Sequence, residues 1–199
     1  EIEDHFLEDC EKIKAVDLSG FRYIQRIGNN FLYGCESLNS EVKLPIALQS
    51  FGEKFMKNCK SFNYPMILPD SISVIPDQFM ERCIAFNSRL VLPRFLISIG
   101  DEFLYDTDDF DQEFKLPTTL VSIGMRFLAW SEHFNQLLVI PSSVQKIGDS
   151  FMYSYKDFEV KNLRNFTNIP LELISRECHI TGVVFDVIFA VAGIVTIVA

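Results

Sequence analysis

Apolar positions along this chain return at one fixed interval. Leu44-Pro45, Leu68-Pro69, Leu92-Pro93, Leu116-Pro117 and Ile140-Pro141 stand 24 residues apart. A second marker, Ile27-Gly28, Phe51-Gly52, Ile75-Pro76, Ile99-Gly100, Ile123-Gly124 and Ile147-Gly148, keeps the same 24-residue step. Two aromatic columns follow it: Phe31, Phe55, Phe79, Phe103, Phe127 and Phe151, then Leu38, Phe62, Phe86, Phe110, Phe134 and Phe158. Together these two columns hold 11 of the 19 phenylalanines, so the aromatic excess belongs to the repeat and not to a ligand box. The opening unit is irregular, since Phe6, Leu7 and Cys10 match Phe31, Leu32 and Cys35 only at a step of 25.

A unit of this length cannot bury its own apolar face, whereas stacked units bury a continuous column at every repeat position. Val42 and Leu44 flank Lys43, and the same alternation at Leu90–Leu92 and Leu138–Ile140 predicts a short strand ending at Leu-Pro. Equivalent strands in successive coils would pair in parallel at about 4.8 Å per coil, and proline ends each one because it has no donor for the ladder. The stretch from Pro141 to Gly148 reads as a turn and a second short strand, with glycine permitting the bend that follows. Residues 101–105 and their equivalents read as about one helical turn, acidic residues suiting its N-terminal end. The expected fold is an α/β solenoid of 24-residue coils, with parallel short β-strands and short helical or 3-10 turns. It would span residues 1–160 in about six coils, the first irregular.

The unit Ile-Gly-x-x-Phe-Leu-x-x-Cys-x-x-Phe-Asn, followed by Leu-Pro-x-x-Leu-x-Ser-Ile-Gly, resembles the BspA-like leucine-rich repeats of bacterial surface proteins. Pro141-Ser142-Ser143-Val144-Gln145-Lys146-Ile147-Gly148 matches the first half of that repeat without a gap, and Gly28, Cys35 and Leu38 match the spacing of the second. The chain departs from the family in its 24-residue unit, one longer than usual, and in Phe-Leu where Ala-Phe is typical. The resemblance covers residues 6–160. It implies a leucine-rich-repeat fold and, more loosely, adhesion or protein binding at a surface. Such repeats also occur in intracellular scaffolds.

Charge and cysteine usage narrow the function classes. A net charge of -9 lacks the basic footprint of a general nucleic-acid binder. Five cysteines cannot all pair within one chain. Cys35, Cys59 and Cys83 lie in register with apolar columns and without close Cys-x-x-Cys spacing, so they read as small buried hydrophobes and not as a zinc or redox ladder. Thr107, Ser131 and Tyr155 take their place in later coils. Asn39, Asn63, Asn87 and Asn135 form a polar column, which reads as a ladder satisfying backbone groups between coils. His5, His133 and His179 stand apart from any nucleophile, and the glycines fall at the repeat interval, so no catalytic residue, cofactor or metal is expected. The acidic stretch 106–113 lacks the glycine and distal glutamate of a calcium loop and reads as a solvated turn, with a weak external cation as the other reading.

The surface of interest is the outward side of the first strand ladder. By alternation it presents Lys43, Ile67, Val91, Lys115 and Val139, flanked by Glu41, Pro65, Arg89, Glu113 and Leu137. A solvated face would be polar throughout, and contiguous exposed apolar surface marks an interaction site. A covering segment or plain strand propensity would account for the same residues. The expectation is a non-catalytic adhesion or protein-protein interaction module on a cell surface or outside the cell, with a protein partner and no nucleic acid. The alternative is a cytoplasmic scaffold. The chain opens on Glu1 and not on Met, which reads as the start of a processed chain. Residues 161–199 break the repeat and read as a C-terminal cap, and the apolar tail 183–199 is either part of that cap or the beginning of a membrane segment.

Overall fold

The computed structural model describes residues 1–134, 136 and 138–153. The expected cap and tail, 161–199, lie outside the described residues, as do Asn135, Leu137 and Phe158. Two ladders of two-residue strands run along the solenoid. The first holds β1 (Val16–Asp17), β3 (Val42–Lys43), β5 (Met66–Ile67) and β7 (Leu90–Val91). The second holds β2 (Arg26–Ile27), β4 (Ser50–Phe51), β6 (Val74–Ile75), β8 (Ser98–Ile99), β9 (Ser122–Ile123) and β10 (Lys146–Ile147). All pairings are parallel and in the 24-residue register, except β1 with β3, where the irregular first coil shifts the offset to Val16 against Val42. Only two residues per strand pair because each strand is one side of a small coil and the chain turns directly after it. The expected strand at Leu138–Ile140 is not paired among the described residues, where the first ladder ends at β7.

The repeat columns are real columns. Phe31, Phe55, Phe79, Phe103 and Phe127 have no exposed surface. Their rings succeed one another at 5.2, 5.6, 5.6 and 5.1 Å, nearly parallel. Phe62, Phe86, Phe110 and Phe134 do the same at 5.8, 5.4 and 5.7 Å. Near-parallel rings at these spacings add aromatic attraction to the burial of their area. Phe114 bridges the two columns, in contact with Phe103, Phe110, Phe127 and Phe134. The inward residues of the first ladder, Val42, Met66, Leu68, Leu90, Leu92, Leu116, Leu138 and Ile140, close the core from the other side.

The expected helical turns do not form. No helix occurs among the described residues, and the third side of each coil is instead a turn with left-handed residues at every second place. In one coil these are Gln78, Met80 and Arg82, with φ of 62°, 51° and 59°; in the next they are Glu102, Leu104 and Asp106, at 58°, 50° and 53°. The alternation aims successive N–H groups at opposite neighbours. Glu102 N donates forward to the Met125 carbonyl, Leu104 N backward to Phe79, and Asp106 N forward to Ala129, at 2.8, 3.1 and 2.9 Å. A right-handed helical turn would spend those donors within the coil. The left-handed turn spends them between coils, which offsets a cost of roughly 1–2 kcal/mol per left-handed residue.

The glycine column has a different cause from the bend expected of it. A Cβ at Gly124 would lie 2.4 Å from the Gly100 carbonyl carbon, and one at Gly52 2.5 Å from the Asn29 backbone nitrogen. At these positions glycine lets each coil lie against the backbone of the one before. Its N–H is used as well: Gly28, Gly52, Gly100, Gly124 and Gly148 each donate back to the preceding coil, at 2.8–2.9 Å. Pro76 occupies this column without a donor. No strand pairing joins β4 to β6.

Candidate functional site

The outward side of the first ladder is open to solvent as alternation requires. Ile67 is 57% exposed and Val139 52% exposed, while Val91 between them is half-buried. Lys43, Lys115, Glu41, Pro65, Arg89 and Glu113 are exposed, and Leu137 lies outside the described residues. Ile67 and Val91 are directly paired neighbours, so their side chains sit side by side on one face.

The charge at the N-terminal end of this column is already spent. Lys43 Nζ lies 3.0 Å from Asp17 Oδ2, its partner in the ladder. The Ser19 hydroxyl and Lys43 together hold the Asp17 carboxyl down at about 2, and Asp17 in turn raises Lys43. The face therefore runs from a neutralised ion pair onto two adjoining aliphatic side chains.

A further exposed aromatic follows β7 in the chain, just past the Leu92-Pro93 step. Phe95 is 60% exposed and lies under the Arg94 guanidinium, 5.7 Å from the ring centre, and Arg94 is itself fixed by Asp70 at 2.7 Å. The signal was available in the repeat register. Phe95 shares its column with Ser71, Thr119 and Ser143, whose hydroxyls donate across the coils to the carbonyls of Leu48, Leu96 and Leu120. At this one coil the structural hydroxyl is replaced by an exposed ring. Ile97, further along the same segment, is also half exposed, as is Val74 on β6.

The cysteine column has a role beyond filling space. Cys35, Cys59 and Cys83 are fully buried and each donates its thiol to the carbonyl of a left-handed residue one coil earlier, Leu7, Leu32 and Met56, at 3.0, 3.1 and 3.0 Å. Thr107 and Ser131 make the same bond to Met80 and Leu104, at 3.3 and 2.8 Å. Cysteine, threonine and serine interchange here because all are short donors. Burial pushes the Cys35 thiol up to about 12 and raises Cys59 as well, so these thiols are protonated and poor nucleophiles or metal ligands. Cys10, Cys35, Cys59 and Cys83 are free.

The asparagine column is the backbone ladder its spacing suggested: Asn39, Asn63 and Asn87 each accept the N–H of the residue 24 places on, at 3.2, 2.9 and 3.0 Å. A second ladder of this kind went unnoticed in the sequence. Asp4, Asn29, Asp77 and Asp101 accept the next coil's N–H immediately after the glycine column. Of the histidines, His5 pairs with Glu8 and His133 Nδ1 lies 2.9 Å from the Asp108 carbonyl, in well-separated coils, while His179 is outside the described residues. In the acidic stretch, Asp106 pairs with Arg82 at 3.0 Å and Asp111 accepts from Gln136 at 2.9 Å. Asp108, Asp109 and His133 bring side-chain oxygens and a ring nitrogen within 4.8 Å of one another.

Comparison with known proteins agrees with this architecture. The family model described as BspA type leucine rich repeat region matches in six copies, over residues 1–124 and 79–189. A leucine-rich repeat protein from Bacteroides ovatus ATCC 8483, known from a 1.19 Å crystal structure, superimposes with a TM-score of 0.57 at 23% identity. The match covers 76% of this chain and 44% of that one, so the chain spans less than half the length of the protein it resembles. No curated protein matches the chain. Among the described residues, no helix is long and apolar enough to cross a membrane.

Proposed function

The chain belongs to the BspA-type leucine-rich repeat family, a family of binding modules that are typically non-catalytic, and from that premise we propose that it is an adhesion module displayed at a cell surface, binding a protein partner through the outward side of its first strand ladder. One observation carries the reading: Ile67 and Val91 on the ladder, and Val139 in the same column beyond its end, turn outward where Lys43 and Lys115 show that polar residues are accommodated. Phe95, exposed under Arg94 just past β7, offers the same partner a further anchor. Aromatic and arginine side chains of this kind are frequent anchors at protein interfaces.

The test is partner capture from host-cell surface extract by the wild-type chain and by the variants Val91→Glu, Val139→Glu and Phe95→Ser. A charge placed in the centre of the face is expected to reduce retention of the captured protein by about tenfold or more. Phe95→Ser restores the residue type of its column and keeps the fold, so loss on this variant reports contact alone. Retention unchanged in all three would end this reading. A cytoplasmic scaffold is the second reading, favoured by three free and fully buried thiols that suit a reducing compartment. Locating the chain in fractionated cells separates the two.

A further inference from the structure

The outward side of the first ladder, continued past its end, carries two columns of side chains. They stand two residues apart in each coil and so share one face. Glu41, Pro65, Arg89 and Glu113 form the first column, and Lys43, Ile67, Val91 and Lys115 the second. Between them Val42, Met66, Leu90 and Phe114 turn into the core, which fixes both columns as outward. The chain has a net charge of -9, yet this face sets Glu41 and Glu113 against Lys43, Arg89 and Lys115. Those charges are ordered. At each end a glutamate stands in the first column and a lysine in the second, and the coils between put Pro65 beside Ile67 and Arg89 beside Val91. Glu41, Arg89, Glu113 and Lys115 form no ion pair among the described residues. Lys43 bonds Asp17 at 3.0 Å, and its ammonium has further hydrogens to give.

We infer that this face takes a second copy of the same chain, the two solenoids lying side by side and pointing the same way. The inference rests on the reading of the ladder face as a contact surface and names the protein that it contacts. A two-fold axis along the solenoid reverses the strand direction and lays the first column of one copy over the second column of the other, coil against equal coil. Glu41 then meets Lys43 of the second copy, Glu113 meets Lys115, Pro65 meets Ile67, and the stem of Arg89 lies along Val91. Each contact occurs twice, as an isologous interface demands. Opposite charges close the two ends and apolar surface fills the middle. The other two-fold reverses one solenoid and keeps each column against itself. Lys43 would then face Lys115 and Glu41 would face Glu113, and like charges so placed repel. The face spans four coils at about 4.8 Å each. That is small for a protein interface, so the dimer is transient and forms where copies are concentrated.

The experiment is sedimentation velocity on the full chain over a rising concentration series, where a reversible dimer is expected. Glu113→Lys and Lys115→Glu are both at exposed positions, so the fold is kept, which circular dichroism checks. Each sets like charges opposite one another on both sides of the two-fold, and each alone is expected to weaken self-association about tenfold. Mixed in equal amounts, the two variants are expected to dimerise with each other, because one then presents two bases to the other's two acids. The reversed arrangement gives no such rescue. A wild-type chain that stays monomeric at every concentration, single variants that associate as well as the wild type, or a mixture that stays monomeric would each overturn the inference. The ladder-face reading survives that outcome if Val91→Glu still abolishes capture of another protein. It falls on its own if Val91→Glu and Val139→Glu change neither capture nor self-association.

Discussion

The strand side and the turn side of each coil both send alternate side chains inward, but by different backbone means. On the strand side, extended residues alternate faces through the pleat, so Met66 is buried and Ile67 exposed. On the turn side every second residue is left-handed, so Phe79 and Met80 are both buried in spite of being adjacent. The strand side obeys a local rule that any isolated segment of this composition would follow. The turn side holds together only because a neighbouring coil accepts its N–H groups and covers its rings. Both sides bond between coils, so the difference is that a turn-side substitution also meets a left-handed backbone that few residues adopt alone, and a strand-side one does not.

Three measurements bear on that contrast. The largest effect is expected from Phe79→Ala, which opens a gap between Phe55 and Phe103 and costs about 3–5 kcal/mol in a denaturant melt; a loss below 1 kcal/mol would mean that the rings are not packed as a column. Next comes Cys59→Ala, which removes the thiol donor to the buried Leu32 carbonyl, leaving it the Cys35 N–H at 3.3 Å, and costs about 1–2 kcal/mol with the lost volume, while Cys59→Ser keeps the donor and most of the stability. Equal losses from alanine and serine would show that the column is filled for volume only. The smallest compares Asn58, left-handed at φ 62°, with Ser50 on β4. Asn58→Val is expected to cost about 1–2 kcal/mol and Asn58→Gly little, since Gly34 holds the equivalent place one coil earlier. Ser50→Val, on an extended backbone, is expected to stay within about 0.5 kcal/mol.

The parts of the fold that depend on burial were legible in the repeat itself. An inward position must be apolar whatever the backbone does, so the phenylalanine columns, the Leu-Pro strand and the outward face could be read from residue type and spacing. The turn could not. Gln78, Met80, Glu102 and Leu104 are ordinary helix formers, and only Gly34, Asn30 and Asn58 hint at a left-handed backbone. Hydrogen bonding between coils overrides local preference there, and that competition involves residues 24 or more places away. Polar ladders were half legible for the same reason. The asparagine column announced itself by repetition, while Asp4, Asn29, Asp77 and Asp101 were hidden by Glu53 and Met125 in the same register. Phe95 went unnoticed because an aromatic residue in a phenylalanine-rich chain draws no attention until its column is seen to be one of hydroxyls.

The proline in the glycine column makes the rod unequal along its length. Where Gly100, Gly124 and Gly148 each fasten a coil to its predecessor, Pro76 has no hydrogen to give, and neither β3 with β5 nor β4 with β6 is bonded across that joint. In an assembly whose cohesion is the sum of nearest-neighbour contacts, such a joint sets how far damage spreads. The turn side still crosses that joint, through the N–H groups of Lys54 and Asn58 to the carbonyls of Asp77 and Glu81 and of Met80 to Phe55, so cohesion there rests on one side of the coil where its neighbours use two.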